Sequence, residues 1–470
     1  MSESWANSSV DLLVELRGNR RRSGLESALR EAANSGRLPA GELLPSSRVL
    51  AAELGLSRNT VADAYGQLVA EGWLTARQGS GTRVADRAAI AAAPASPVAR
   101  ARVARREYDL TPGTPDLSGF PRGAWLAASR RAMVGAPAAD FGYPDPRGLG
   151  SLRETLARYL ARVRGVRTTA DRIVICSGFQ QALHLLATTL RQQGARTLGI
   201  ESYGIDLHRD VIAAAGLDIR PLPVDASGAE VQQLAHENTA GVLLTPVHQF
   251  PLGVALTPDR RTMVLEWARD TGGLVIEDDY DGEFRYDRKP IGALQSLAPD
   301  SVAYVGTASK SLVPGLGLAW LVVPPGLIES VTETKRLSDG YTGVFEQLAL
   351  DELIRAGSYD RHVRRSRATY RRRRDRLVHV LATSSPSVKI SGIAAGLHAV
   401  VQVGGKLRAA DEPALTSRAA RAGLTIQGLN HYRCNPVADS PAALVVGYGT
   451  PPEHSYAGAL EALCAVLPDG

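Results

Sequence analysis

Apolar positions near the start of the chain recur at helical spacing and are punctuated by turn residues. Leu25 to Ala33 carries the first such stripe, and Gly36-Arg-Leu-Pro-Ala-Gly41 stops it and turns the chain. A second helix is expected behind Pro45, Ser46 and Ser47, through Arg48, Leu50, Ala51, Ala52 and Leu54, with Gly55 as its end. Ser57 caps a third, which puts Val61, Ala64, Tyr65, Leu68 and Val69 on one face and Arg58, Asn59, Thr60 and Asp63 near its start. Two helices across a tight glycine turn predict a helix-turn-helix. Trp73 to Val84 then reads as a hairpin with Gly79, Ser80 and Gly81 at its tip.

From Ala85 to Arg106 the chain turns to Ala, Pro and Arg without a sustained apolar face, the composition of a linker. Beyond Tyr108 short β-rich runs alternate with helical stretches: Ile173–Ile175, Thr197–Ile200, Ile219–Leu222, Gly241–Leu244, Leu274–Ile276 and Val302–Val305. That alternation predicts a mainly parallel α/β sheet, whose ligands bind at the carboxyl ends of the strands. The expected division is a winged helix-turn-helix over 1–84, a linker over 85–107 and a large α/β body over 108–470.

A length of 470 residues suits two unequal domains, and a formal net charge of +6 permits a polyanionic partner without requiring one. Three scattered cysteines encode neither a disulfide framework nor a zinc cluster. No apolar stretch approaches the roughly 18 residues of a membrane span, and Met1 to Arg20 lacks the layout of a signal peptide. A cytoplasmic protein with no membrane partner is the expectation.

The chemistry-bearing residues follow the predicted strands. Lys310 closes the run Gly306-Thr-Ala-Ser-Lys310, and Glu277-Asp278-Asp279-Tyr280-Asp281 follows Leu274–Ile276. A lysine amine can form a Schiff base with an aldehyde cofactor, and a buried carboxylate can keep a pyridine nitrogen protonated. Together they read as a site for pyridoxal 5'-phosphate. Alone, the lysine reads as a surface residue, and the acidic run equally as a solvated turn or a metal loop. Ser177, Gly178, Phe179 and Gln180, between a strand and a helix, can cradle a phosphate or be an ordinary helix entry. Tyr203 is a candidate to stack on the pyridine, His248 and Gln249 to donate to its phenolic oxygen, and Tyr280 to bond the same oxygen. In the head, Arg58, Asn59 and Thr60 are placed to enter a major groove. Ser46, Ser47, Arg48 and Ser57 complete the helix-turn-helix contacts, and Arg77, Gly79, Ser80 and Gly81 the wing's.

Leu25 to Val84 resembles the GntR family of winged helix regulators, on Gly-Arg-Leu-Pro-Ala-Gly, Leu-Pro-Ser-Ser-Arg, Ala-Ala-Glu-Leu-Gly-Leu-Ser-Arg-Asn-Thr-Val and Gly-Ser-Gly-Thr. The body resembles fold-type I aminotransferases, on His-Gln-Phe-Pro, Glu-Asp-Asp-Tyr-Asp-Gly-Glu-Phe-Arg-Tyr, Gly-Thr-Ala-Ser-Lys and Phe141-Gly-Tyr143-Pro-Asp-Pro-Arg-Gly148. Head and body together resemble the MocR subfamily. The resemblance implies that Lys310 attaches the cofactor, Asp278 pairs with the pyridinium, Tyr280 bonds the phenolic oxygen, and Ser177 to Gln180, Thr307 and Ser309 surround the phosphate. It further implies a double-stranded DNA operator and a head-to-tail homodimer in which Tyr143 reaches the other subunit's phosphate.

The chain departs from that pattern at Gly317, where relatives carry an arginine for the phosphate. Such a contact is worth about 1.5 to 3 kcal/mol. Ile205 and Gly447 to Thr450 offer no arginine for a substrate carboxylate, and Arg433 is a substitute of unknown position. A working aminotransferase needs that clamp. The favoured reading is a transcription regulator that senses pyridoxal phosphate, alters its paired heads and controls vitamin B6 synthesis or salvage. Alternatives are a regulator answering an amino acid, a true aminotransferase with an accessory head, and a body that only dimerises. The basic run Arg361 to Arg376 reads as a solvated helix face, with a DNA contact as its alternative.

Overall fold

The computed structural model describes residues 21–77, 80–86, 107–236, 239–286, 291–404 and 406–467. Gly79, most of the expected linker and the segment read for a signal peptide lie outside them. The chain divides into two compact units, Met1–Val103 and Ala104–Gly470. No helix among the described residues is long and apolar enough to cross a membrane.

Among the described residues the first unit has three helices, α1 (Arg21–Asn34), α2 (Ser47–Leu54) and α3 (Arg58–Ala70), and a hairpin of β1 (Leu74–Arg77) and β2 (Gly81–Val84). Leu25, Leu29, Leu38, Leu50, Val61, Leu68 and Val84 are buried together as its core. Ser46 and Ser57 cap α2 and α3, each accepting a backbone N–H three residues on. Between the two helices Gly55 takes the left-handed conformation at φ 63°, which a residue with a Cβ adopts only at a cost.

The second unit is built on a seven-stranded sheet. Its strands are β3 (Ile173–Cys176), β4 (Thr197–Glu201), β5 (Asp218–Leu222), β6 (Gly241–Leu244), β7 (Leu274–Asp278), β8 (Val302–Thr307) and β9 (Ala319–Val322). Their order is β3-β9-β8-β7-β6-β4-β5. Pairings from β8 to β5 are parallel, and β9 runs antiparallel to both neighbours. The residues of β9 were not among the strands expected from sequence. All four are buried, and a short apolar run without alternation marks neither strand nor direction. A smaller antiparallel sheet of Lys389–Ser391, His398–Gln402, Ala443–Gly447 and Gln427–Gly428 completes the unit with the helices Glu412–Arg421 and Tyr456–Val466.

Alternation along β7 and just beyond it sorts the acidic run. Glu277 accepts the backbone N–H groups of Leu294 and Gln295 at 2.7 and 2.9 Å. Asp279 is clamped by Arg164 through Nε at 2.6 Å and Nη2 at 2.9 Å, and accepts the Tyr304 hydroxyl at 2.7 Å. Glu277 and Asp279 thus brace the sheet from one face, and Asp278 between them points to the other.

Candidate cofactor pocket and nucleic-acid interface

The carboxyl ends of β4, β6, β7 and β8 open into a cavity. Tyr203, Phe179, Asp278, Tyr280, Thr307, Ser309 and Lys310 all line it. Residues separated by more than a hundred positions meet there because parallel strands end on one edge.

Lys310 lies on the single turn Ala308–Ser311, capped by the Thr307 hydroxyl, which accepts the Ser309 N–H at 3.1 Å. Its Nζ donates to the carbonyl of Gly113. Burial lowers the amine's pKa, against the opposing pull of Asp278 and Asp281. Asp278 is buried, and its Oδ1 has no hydrogen-bond partner among the described residues. Burial raises its pKa well above the carboxylate range, against the pull of Lys310 and with the help of Asp279, Asp281 and Glu201. A buried, unpartnered carboxyl oxygen facing a cavity is costly unless a ligand donor meets it.

Tyr280 is fixed from behind: its hydroxyl lies 3.0 Å from His248 Nδ1, which is 2.8 Å from Asp281 Oδ2. Sequence reasoning had His248 and Gln249 donate to the ligand directly, whereas both are buried and neither lines the cavity. The Gln249 Nε2 group donates to Glu201 Oε2 at 3.1 Å and to the carbonyls of Tyr203 at 3.2 Å and Phe250 at 2.6 Å, so its donors are spent on the protein. His248 thus supports the Tyr280 hydroxyl, and Gln249 the Tyr203 carbonyl.

At the other end of the cavity the helix Phe179–Gln192 begins behind Gly178 with no side-chain cap, so no N-cap side chain accepts from its first N–H groups. Ser177 donates its N–H to Gln181 Oε1 at 2.8 Å, and the Ser177 and Gln180 side chains are exposed beside this turn. Gly317 adopts φ 57°, again left-handed, with its Cα side against the Ser177 carbonyl. Tyr143 is outside the cavity altogether, 92% exposed, its ring edge-on to Tyr341 at 6.0 Å.

Among the lining residues that escaped sequence reasoning, three can carry charge. Glu201 closes β4 two residues before Tyr203 and accepts from Thr245 Oγ1 at 2.5 Å; burial pushes its pKa up to about 7. Arg209 and His208 follow on the helix Asp206–Ala214 and line the same space. Their signal was present: Arg209 is four residues beyond Ile205, one turn along the same helix face. Arg433 now has a place, stacked on Tyr203.

In the head, α3 presents Arg58 and Asn59 exposed at its N-terminal turn, with Thr60 half-buried. Ser57 accepts the Thr60 N–H at 3.1 Å, and Ser46 the Val49 N–H at 3.3 Å, so both hydroxyls have a capping role. Ser47 is half-buried, and Arg48, Arg77, Ser80 and Gly81 are exposed. An exposed helix start with basic and amide side chains fits a groove of duplex DNA.

Comparison with known proteins agrees with both units. Residues 22–84 match the family of bacterial regulatory proteins of the gntR type, and residues 110–436 match aminotransferase class I and II. The pyridoxine biosynthesis transcriptional regulator PdxR of Corynebacterium glutamicum is 32% identical over 443 residues, covering 92% of each chain. The probable rhizopine catabolism regulatory protein MocR of Rhizobium meliloti is 31% identical over 73% of this chain and 74% of its own. Among solved structures, a kynurenine aminotransferase of Pyrococcus horikoshii superposes with a TM-score of 0.68 at 24% identity, over 76% of this chain and 90% of that one, a likeness of fold. The aminotransferase match indicates pyridoxal phosphate for the cavity, and the presence there of Lys310 and of Asp278 with its unpartnered Oδ1 fits that group.

Proposed function

The chain belongs to the MocR-type transcription regulators, which join a gntR DNA-binding head to an aminotransferase-like body, and on that footing we propose that it senses pyridoxal phosphate and controls genes of vitamin B6 supply. The observation that carries the reading is Asp278 Oδ1, buried without a partner in the cavity that holds Lys310. The name of the Corynebacterium relative supports the choice of pathway.

When bound, pyridoxal phosphate supplies an electrophilic aldehyde and an electron-withdrawing ring. Lys310, its pKa lowered by burial, presents a nucleophilic amine at the cavity wall. Asp278 would offer its free oxygen to a ring N–H, Tyr280, held by His248, would meet the phenolic oxygen, and Tyr203 would cover a ring face. Phe179 and the uncapped helix start, with Thr307 and Ser309, receive the phosphate. Lys310 Nζ ties the Gly113 carbonyl in the ligand-free chain, and a ligand that drew Nζ away would release the segment Leu110–Phe120 from that anchor. A ligand shifts a regulator only through such a difference between states.

The same reading makes the protein a homodimer and not a working aminotransferase. Val134, Phe141, Tyr143, Leu337, Tyr341 and Phe345 are exposed, and the aromatic pairs Phe141–Phe345 and Tyr143–Tyr341 give an apolar face suited to a second copy. Gly447 leaves no room for a carboxylate-binding side chain, since a Cβ there would lie 2.2 Å from the Thr111 carbonyl oxygen.

The test is a titration of the purified full chain with pyridoxal phosphate, followed by absorbance and by operator binding. A visible band that Lys310→Ala abolishes, with a change in operator affinity, is expected. A colourless protein refutes the cofactor reading, and multiple turnovers with an amino acid and an oxo acid refute the regulatory one.

A further inference from the structure

Arg209 lines the cavity beside the residues that would hold the cofactor. It sits one helical turn after Ile205, and both residues line the space beside Tyr203. Apart from Lys310 it is the one permanently cationic group among the described lining residues. Its neighbour His208 contributes no charge near neutral pH, because burial and Lys310 push its pKa down to about 4.

The protein makes weak use of this guanidinium. Its Nη2 contacts Asp206 in an i,i+3 pair, whose carboxylate is 55% exposed while the Arg209 side chain is only 18% exposed. Its Nη1 reaches the Cys434 thiol at 3.7 Å, a poor acceptor. A planar fork of five N–H donors therefore keeps capacity toward the cavity, and an exposed short-range pair holds it only loosely. Largely desolvated guanidinium groups bind oxyanions through short, charge-assisted bonds.

We propose that Arg209 is the anion-binding residue of this cavity and holds an oxyanion of the bound small molecule. The anion has two sources, the phosphate of the cofactor or the carboxylate of an amino acid entering beside it, and the chemistry at Arg209 is the same. The inference rests on the pocket reading given under Proposed function.

The experiment uses the full chain as wild type, Arg209→Gln and Arg209→Lys, titrated by absorbance with pyridoxal phosphate and with unphosphorylated pyridoxal. The cofactor-loaded proteins are then titrated with L-alanine and with ethylamine, which lacks the carboxylate. If Arg209 holds the phosphate, Arg209→Gln weakens pyridoxal phosphate by about tenfold or more and leaves pyridoxal unchanged. If it holds a carboxylate, cofactor affinity stays within about twofold and the preference for alanine over ethylamine falls by about tenfold. In either case Arg209→Lys lies between the two, since it keeps charge but loses the fork. Wild-type behaviour of Arg209→Gln toward all four ligands, or equal weakening of all four, overturns the assignment while leaving the pocket reading intact. Failure of the wild type to take up pyridoxal phosphate overturns both.

Discussion

Arg433 lies over the ring of Tyr203, 4.9 Å from its centroid, and donates through Nε to the Tyr203 hydroxyl at 2.6 Å. A residue with no assignable place in the sequence thereby becomes the brace of the cavity's aromatic wall. Tyr203 also lends its carbonyl to Gln249, and an antiparallel bridge joins residues 203 and 433, so its backbone is held as well as its side chain.

Arg433→Ala should weaken pyridoxal phosphate binding by about 1 kcal/mol, the scale of a partly desolvated cation–π contact. Tyr203→Phe, which keeps the ring and loses the hydroxyl, should lose less, and the double variant should lose less than the sum. Strict additivity in an absorbance titration would show that Arg433 does not act through Tyr203.

Asp278→Ala should separate ligand binding from folding. Removal of a buried acid without a partner should leave the ligand-free chain as stable as the wild type or more so. Uptake of pyridoxal phosphate should meanwhile fall by about tenfold or more. A melting temperature several degrees lower in the ligand-free variant would mark Asp278 as structural.

Arg164→Ala should do the reverse. The Arg164–Asp279 pair is almost wholly buried, at 7% and 2% side-chain exposure, and loss of one partner strands the other charge at a cost of about 3 to 5 kcal/mol. Replacing both residues by apolar ones of similar volume should recover most of the loss in urea denaturation. A single-variant loss below about 1 kcal/mol would contradict the buried-pair argument.

Glu201 gives the ligand-free body a pH dependence of determined sign. Burial raises its pKa from 4.5 to about 7, so the folded state binds the proton more tightly than the unfolded chain does. Its contribution is fully present below pH 4.5 and is lost as pH rises through about 7. Burial raises Glu277 and Glu283 to about 7 as well, so Glu201→Gln should remove one part of the fall in thermal stability between those limits, as read by melting at fixed ionic strength. An unchanged pH profile would remove Glu201 as its source.

For the head, Arg58→Ala should weaken operator binding by about 1 to 3 kcal/mol if the side chain reads a base edge. Ser57→Ala should cost about 1 kcal/mol of head stability through loss of the α3 cap. A footprint unchanged in Arg58→Ala would place the recognition surface elsewhere.

The chain's local chemistry was legible in its order. Caps at Ser46 and Ser57, the turn at Gly55 and the strand-then-polar rhythm from Ile173 to Lys310 are short-range signals, set by hydrogen bonds and side-chain periodicity within a few residues. They sufficed to gather Asp278, Tyr280, Tyr203 and Lys310 on one sheet edge. Tertiary structure alone decided that β9 runs antiparallel, that Gln249 turns its amide inward, and that Arg433 meets Tyr203 across 230 residues of chain. The reason is physical: a donor's direction and a cation's partner depend on which segments the fold brings within a few ångströms, and no local pattern encodes that distance.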